Sequence, residues 1–73
     1  MPEDELLHKI SAEQMAEKVM TLPDIYRNPI YLYYYQDLTL LEIAKKSNLP
    51  MSTVKTRMRR AKERLRPKML SLA

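Results

Sequence analysis

The stretch from Thr39 to Leu65, TLLEIAKKSNLPMSTVKTRMRRAKERL, decides how this chain folds. It predicts two helices separated by a tight turn. Thr39 and Glu42 form the Thr-x-x-Glu pattern of a capping box, in which each side chain accepts a hydrogen bond from a backbone N–H left free at a helix start. Asn48 stands where the chain must reverse, because asparagine tolerates a left-handed backbone better than most residues. Pro50 cannot continue the first helix but can stand at the start of the second.

The second of these helices separates apolar from charged residues by face. Its apolar residues recur at spacings of four, three and four, and they are Val54, Met58, Ala61 and Leu65. This spacing matches the helical period of 3.6 residues, so the stripe is predicted to pack against a core. Four polar residues lie away from the stripe, namely Lys55, Thr56, Arg59 and Arg60. The two helices together have the pattern of a DNA-binding helix-turn-helix.

Positive charge is concentrated on this second helix. The segment from Lys55 to Lys68 holds eight Lys or Arg and one acid, Glu63, and therefore carries +7, whereas the whole chain carries +4. The rest of the chain is consequently at −3. A helix that is only solvated would favour acids interspersed with the bases, since opposite charges four residues apart attract. The concentration therefore favours nucleic-acid binding over a merely solvated helix face.

The amino-acid composition excludes several classes of function and indicates the fold class. Seventy-three residues make one small domain with a thin core. The chain has no cysteine, which fits a reducing compartment, so a cytoplasmic location is expected. The chain also lacks glycine, so a glycine-rich phosphate loop is impossible. The scarcity of β-branched residues and of strand-like alternation predicts an all-α fold, and no apolar run approaches the roughly 20 residues that span a membrane.

Catalysis and metal binding have no support in the residue pattern. His8 has no cysteine or second histidine beside it, so we expect no metal site. No nucleophile with a neighbouring base is visible, and Glu42 is already assigned to a helix cap. The chain is therefore not expected to be an enzyme or to need a cofactor.

The residues before the helix-turn-helix predict two further helices. Residues 1–10 are expected to be an acidic N-terminal extension or a short helix, and residues 11–70 to form the domain. Ser11 and Gln14 form another capping box, which opens a helix expected to end at Leu22-Pro23. The next helix is predicted from about Pro23 to Gln36.

Proline and tyrosine complicate that helix. Pro29 favours one helix with an irregular first turn, although a fresh start capped by Asn28 is the alternative. Ile25, Ile30 and Leu32 are expected to face the core. Four tyrosines follow almost consecutively and cannot all face one ligand, so two are predicted to pack in the core and two at its rim; they are Tyr31, Tyr33, Tyr34 and Tyr35. Pro67 is expected to end or bend the last helix.

Several short motifs occur together in one order along the chain. They are Leu22-Pro23, Arg27, the YYYQDLT run at residues 33–39, EIA at 42–44, TVKTR at 53–57 and RAKERL at 60–65. In order and spacing the set resembles region 4 of bacterial sigma factors, and within them the extracytoplasmic-function subgroup. The resemblance covers roughly residues 13–70. It implies a compact four-helix bundle with the helix-turn-helix at its C-terminal end, which recognises the −35 promoter element and docks on the β-flap of RNA polymerase.

The same resemblance assigns roles to individual residues. Five positions are expected to read bases in the major groove, namely Thr53, Lys55, Thr56, Arg59 and Arg60. Arginine suits this role, because its guanidinium can bond guanine O6 and N7 together. Six positions are expected to contact phosphates, namely Thr39, Lys45, Lys46, Arg57, Lys62 and Arg64. The last helix supplies three of these at its edges, and the first helix of the motif supplies the others because it crosses the DNA backbone.

The chain also departs from the family pattern. Leu41 stands where an acid is usual, which places an apolar residue on an expected surface. Nothing in the 73 residues resembles the promoter-melting region 2, so we expect either an excised domain or a standalone, negative modulator of sigma-dependent initiation. The alternative is a protein-interaction module that binds an anti-sigma factor. A response-regulator output domain is less favoured, because the RAK ending and the tyrosine run fit the sigma pattern better.

Overall fold

A computed structural model describes residues 12–70 as four α-helices. They are α1 Ala12–Val19, α2 Asp24–Tyr34, α3 Leu40–Ser47 and α4 Met51–Leu70. The described part contains no strand, so the predicted all-α fold is confirmed. The predicted N-terminal segment 1–10 and the Ser11 half of the first capping box lie outside the described residues.

The core is built around α4, which packs against each of the other three helices. All four helices contribute apolar side chains to it. The buried members are Met15, Val19, Leu22, Tyr26, Ile30, Ile43, Ala44, Val54, Met58, Ala61, Leu65 and Met69. The predicted stripe of α4 is therefore confirmed, and Met69 extends it by one further helical turn.

The helix-turn-helix forms as its local sequence predicts. The Thr39 hydroxyl accepts a hydrogen bond from the Glu42 backbone N–H at 3.1 Å, and the Thr39 N–H donates to the Glu42 carboxylate at 2.9 Å. Asn48 ends α3 in the left-handed conformation, with φ 55° and ψ 47°. The carbonyl of Pro50 then accepts hydrogen bonds from the N–H groups of Thr53 and Val54, each at 3.1 Å. A three-residue turn thus fixes the direction of α4 relative to α3.

The first helix ends at Val19, three residues before the predicted end at Leu22. The Thr21 hydroxyl donates to the carbonyl of Lys18 at 2.6 Å, and the Thr21 N–H donates to the same carbonyl at 3.1 Å. A threonine side chain bonded in this way offers the backbone an alternative to the helical pattern. The Thr21 hydroxyl also accepts from the ammonium of Lys68, which ties this turn to the end of α4.

The second helix is one continuous segment with Pro29 inside it, so the predicted single helix is confirmed and a restart at Asn28 is not observed. It is shorter than predicted at both ends. The prediction that Ile25 faces the core is wrong, since that side chain is 48% exposed. Tyr26 is buried instead, because it lies four residues before the fully buried Ile30 and shares its helix face.

The prediction that two tyrosines of the cluster pack in the core and two at its rim is only partly confirmed, since none of the four is buried. Tyr33 and Tyr34 are half-buried against the core and meet edge to face, with ring centroids 4.9 Å apart. Tyr31 and Tyr35 are exposed and stack on each other with centroids 5.7 Å apart. The chain then turns through Asp37, whose positive φ of 55° was not predicted.

The last helix continues through Pro67 to Leu70, so the prediction that it ends at Pro67 is wrong. Proline lacks the N–H that would bond the carbonyl four residues earlier. Pro67 is exposed, however, and its ring points away from the core. Met69 is 0% exposed, and burying a methionine side chain contributes about 1.5–3 kcal/mol. Burial of Met69 beyond the proline therefore offsets much of the cost of an interior proline, which is about 3 kcal/mol.

The buried stripe predicts a large cost for truncating Leu65, which is 0% exposed. Leu65→Ala should lower the free energy of unfolding by about 2–5 kcal/mol, because it removes buried methyl groups and leaves a cavity. Chemical denaturation followed by circular dichroism measures this loss. Leu41→Ala is the matched control, since Leu41 is 52% exposed and should cost less than about 0.5 kcal/mol. Equal losses for the two variants would contradict the assignment of the core.

The capping box predicts an acid-dependent contribution to stability. The backbone N–H and then the hydroxyl of Thr39 hold the pKa of Glu42 below its ordinary value. A lowered pKa in the folded state adds stability above the ordinary value near 4.5, and this is lost as the pH falls through the folded value. Glu42→Gln should therefore lower the melting temperature at pH 7, and the difference from the native chain should shrink towards pH 3. Glu17→Gln, which removes the same charge from an exposed site of α1, is the control. A Glu42→Gln deficit that stays constant with pH would contradict the prediction.

Candidate nucleic-acid interface

Because the apolar stripe of α4 is buried, the opposite side of this helix faces solvent. At 100° per residue, Thr53, Thr56, Arg59 and Arg60 fall on the side away from the stripe, and Lys55 lies on one flank of it. Lys55, Arg59 and Arg60 are exposed, and Thr53 and Thr56 are half-buried between neighbouring side chains. The structure thus brings the predicted set onto one accessible side of one helix.

A shallow groove runs along one edge of this side, between α4 and the start of α3. Leu40 and Met58 lie in it, and Glu63 is its one acid. Its cations recur at spacings of four, three and four along α4, and they are Lys55, Arg59, Lys62 and Arg66. We call these four residues the cationic stripe. It runs beside the buried apolar stripe for three helical turns, so a polyanion lying in the groove would meet several positive charges in a row.

The remaining base-reading candidates lie along the other edge of α4. Thr53, Thr56 and Arg60 line a second depression there, next to Arg57. The start of α2 closes this depression, with Ile25 and Tyr26 among its lining residues. The predicted base-reading residues therefore form two groups, one on each side of the exposed ridge of α4.

Two of the predicted phosphate-contacting residues lie over tyrosine rings. The ammonium of Lys62 is 5.8 Å from the centroid of the Tyr33 ring, and the guanidinium of Arg64 is 4.7 Å from that of Tyr26. The negative face of an aromatic ring attracts a cation at such distances, with a contribution of about 0.5–1 kcal/mol at exposed sites. These contacts hold the two cations at the edges of α4, which is where phosphate contacts are expected.

The predicted contacts on α3 fall into two separate places. Thr39 caps the N-terminus, and its hydroxyl oxygen already accepts the Glu42 N–H, although its own proton remains able to donate. Lys45 and Lys46 are exposed in the last turn of α3, about 9 Å further along the axis. Lys46 shares a groove with Arg57 of α4. Thr39 and the two lysines therefore cannot contact one phosphate together.

Sequence reasoning missed one residue of this surface, Arg66, and one contact, between Arg59 and Glu63. Arg66 is exposed and completes the cationic stripe, and its regular spacing from Lys55 is a signal that could have identified it. Arg59 donates a hydrogen bond from its Nη1 to the Glu63 carboxylate at 3.2 Å. The i,i+4 spacing of that pair also predicts the contact. The ring positions of Tyr26 and Tyr33 depend on tertiary packing, and no local pattern indicates them.

An apolar groove lies on another surface, between α2, α3 and the start of α4. Ile25, Leu32 and Leu49 are among its lining residues, and Lys46 and Arg57 are cations that border it. Ile25 is 48% exposed, and Tyr31, which also lines the groove, is 47% exposed. This groove meets the cationic surface at Arg57, so the two surfaces are adjacent.

The described residues contain neither a candidate metal site nor a membrane-spanning helix. Within residues 12–70, no three His, Cys, Asp or Glu side chains come together in a way that could hold a metal ion. No helix in that range is long and apolar enough to cross a membrane.

Comparison with known proteins agrees with this geometry. Residues 12–65 match the family described as "Sigma-70, region 4". The chain is also 39% identical over 72 residues to the "ECF RNA polymerase sigma factor SigW" of Bacillus subtilis (strain 168). That match covers 99% of this chain but 38% of the relative, so the chain spans well under half of its length. No solved structure gives a significant match. The chain therefore belongs to region 4 of the sigma-70 family, in its extracytoplasmic-function group, which is a DNA-binding domain of transcription factors and not an enzyme family.

Proposed function

We propose that this domain binds the −35 element of a promoter by placing α4 in the major groove. The observation that carries the proposal is the division of α4 into a buried apolar stripe and an exposed side with seven net positive charges between Lys55 and Lys68. A helix held in this way can enter a groove about 12 Å wide without losing its own packing. Membership of the sigma-70 region 4 family supports the same conclusion.

In this proposal the two groups of side chains on α4 read different base pairs. Arg59 and Lys55 project from one edge of the exposed side, and Arg60 projects from the other with Thr53 and Thr56. Each arginine can donate two hydrogen bonds to one guanine, and a threonine can meet a thymine methyl group or accept and donate a single bond. Readout from both edges would spread the recognised bases along the groove.

The cations at the edges of α4 and at the end of α3 are proposed to contact phosphates. Lys62 and Arg64 already lie over tyrosine rings, so little side-chain freedom is lost when they meet the DNA backbone. Arg57 and Lys46 border one groove and can follow one strand together. Lys45 and Thr39 complete the set at opposite ends of α3. Each neutralised phosphate releases counterions, so affinity should fall steeply with salt.

The domain is also proposed to dock on RNA polymerase, through the apolar groove between α2 and α3. Ile25 and Tyr31 are exposed there and offer apolar area that the fold itself does not bury. A β-flap element that inserts an apolar side chain would cover this area beside Lys46 and Arg57, which border the same groove. The proposed polymerase and DNA contacts are therefore immediate neighbours on the surface.

A second candidate function is the binding of an anti-sigma factor. The observation that favours it is Leu41, which is 52% exposed and lines a depression with Leu49, Pro50 and Met51 at the helix-turn-helix turn. An exposed apolar patch of this kind suits a protein partner. Tight binding to such a partner, combined with DNA binding that lacks sequence preference, would favour this function over promoter recognition.

Base readout predicts different behaviour for arginine and lysine variants of α4. Arg59→Ala and Arg60→Ala should each cost about 1–3 kcal/mol on the preferred duplex and relax preference at one base pair. Lys62→Ala should weaken binding about equally on preferred and scrambled duplexes and make the salt dependence shallower. Fluorescence anisotropy with both duplexes over a salt series measures these effects. Equal losses on both duplexes for the two arginine variants would reassign Arg59 and Arg60 to phosphates.

Supplied alone, the 73-residue chain should act as a competitor and not as an initiator. It is proposed to occupy the −35 element or the β-flap, whereas no residue set in it is expected to open a duplex. Added to a holoenzyme containing a full-length sigma factor of the same specificity, it should inhibit in vitro transcription, and the inhibition should weaken as that factor is titrated in. Promoter-specific transcripts from core polymerase plus this chain alone would contradict the prediction. Absence of inhibition at saturating concentration would contradict the proposed competition.

A further inference from the structure

The one acid of α4, Glu63, lies among the cations of the proposed DNA-binding surface. Its carboxylate accepts the hydrogen bond from Arg59 at 3.2 Å, and the two side chains are 61% and 64% exposed. Glu63 shares its groove with the whole cationic stripe. An acid here reduces the attraction for any phosphate, so its position needs a physical explanation.

Helix stability does not supply that explanation. An exposed i,i+4 ion pair contributes little, and the order in which the base precedes the acid is the weaker one. The pair also lies away from the buried stripe, so it supports no core contact. The remaining effect of Glu63 is to hold the Arg59 guanidinium in one position.

The geometry of the contact leaves Arg59 able to read a base. A guanidinium carries five N–H donors in a rigid fork, and the contact with Glu63 uses Nη1. The Nε and Nη2 donors lie along the other edge of the fork and remain available for a guanine O6 and N7. A guanidinium that is already held loses less side-chain freedom when it forms those two bonds.

The charge of Glu63 has a separate effect on overall affinity. Sequence-independent binding depends on attraction between cations and phosphates, and a carboxylate in the groove weakens it for every sequence. This repulsion is the same for preferred and other DNA, so it leaves their affinity ratio unchanged. Only the positioning of Arg59 favours preferred DNA over other DNA.

We propose that Glu63 is a positioning residue for Arg59, which raises the selectivity of α4 for its preferred DNA sequence over generic DNA. This inference rests on the proposed promoter-binding function. Glu63 itself touches no base. It raises selectivity by orienting Arg59, and its charge separately lowers the affinity of the groove for the phosphates of any sequence.

The test uses two duplexes, one selected by the native chain from a randomised pool and one with the same bases scrambled. Affinities are measured by fluorescence anisotropy for the native chain and for Glu63→Gln. The variant should bind the scrambled duplex more tightly, and the ratio of selected to scrambled affinity should fall by about threefold or more. Glu63→Asp keeps the charge on a side chain one methylene shorter, which cannot reach Arg59 as Glu63 does. It should lose selectivity while its affinity for the scrambled duplex stays near the native value.

Two controls separate positioning from general electrostatics. Glu17→Gln makes the same change in net charge at an exposed site of α1 and should leave the ratio unchanged. Adding Glu63→Gln to Arg59→Ala should not reduce the ratio further, because no guanidinium remains to be oriented. Matched thermal melts of all variants confirm that each one is folded.

The outcomes that overturn the inference are distinct from those that overturn the proposed function. An unchanged ratio in Glu63→Gln, or an equal fall with and without Arg59, would show that Glu63 does not position Arg59, while promoter binding would stand. A native chain that selects no sequence from the pool would defeat the proposed promoter recognition, and the inference with it.

Discussion

The structure depends on the burial of one apolar stripe on α4. Val54, Leu65 and Met69 are among its members that solvent does not reach, and each of the other three helices packs against it. Because a helix has only one side to bury, this packing forces the cations of α4 into solvent. The hydrophobic effect that folds the domain thus also presents its charged surface, and no separate interaction is needed to orient that surface.

The direction of α4 relative to α3 depends on a few backbone hydrogen bonds. The capping box at Thr39 and Glu42 fixes where α3 begins, and the left-handed Asn48 fixes where it ends. The carbonyl of Pro50 then accepts the first hydrogen bonds of α4. With only three residues between the helices, the chain has little freedom to change their angle. The geometry of the groove between α4 and the start of α3 therefore follows from this turn.

Sequence reasoning correctly predicted the features that depend on neighbouring residues. Most of its wrong predictions concern features that depend on packing between residues far apart in the sequence. The capping box, the Asn48 turn and the apolar stripe follow from residue type and spacing alone. The burial of Tyr26 instead of Ile25 and the continuation past Pro67 depend on contacts between helices. The early end of α1 accompanies the hydrogen bond from the Thr21 hydroxyl to the Lys18 carbonyl, which the helical spacing did not indicate. The same division holds for the candidate site. The base-reading residues were predicted to lie on the flanks of the α4 stripe and further round the helix. The groove and the depression that they line depend on how α2 and α3 flank that helix.

Concentrating eight bases on one helix creates repulsion, and the fold relieves part of it without removing the charges. Tyr26 and Tyr33 offer ring faces to Arg64 and Lys62, and Glu63 partners Arg59. Each contact involves a different cation, and each leaves that cation accessible. The remaining repulsion is relieved when phosphates approach, so the charge distribution that opposes compact folding is also what favours a polyanionic partner. A domain with so thin a core tolerates this conflict because its charges lie on the side of α4 that the core does not use.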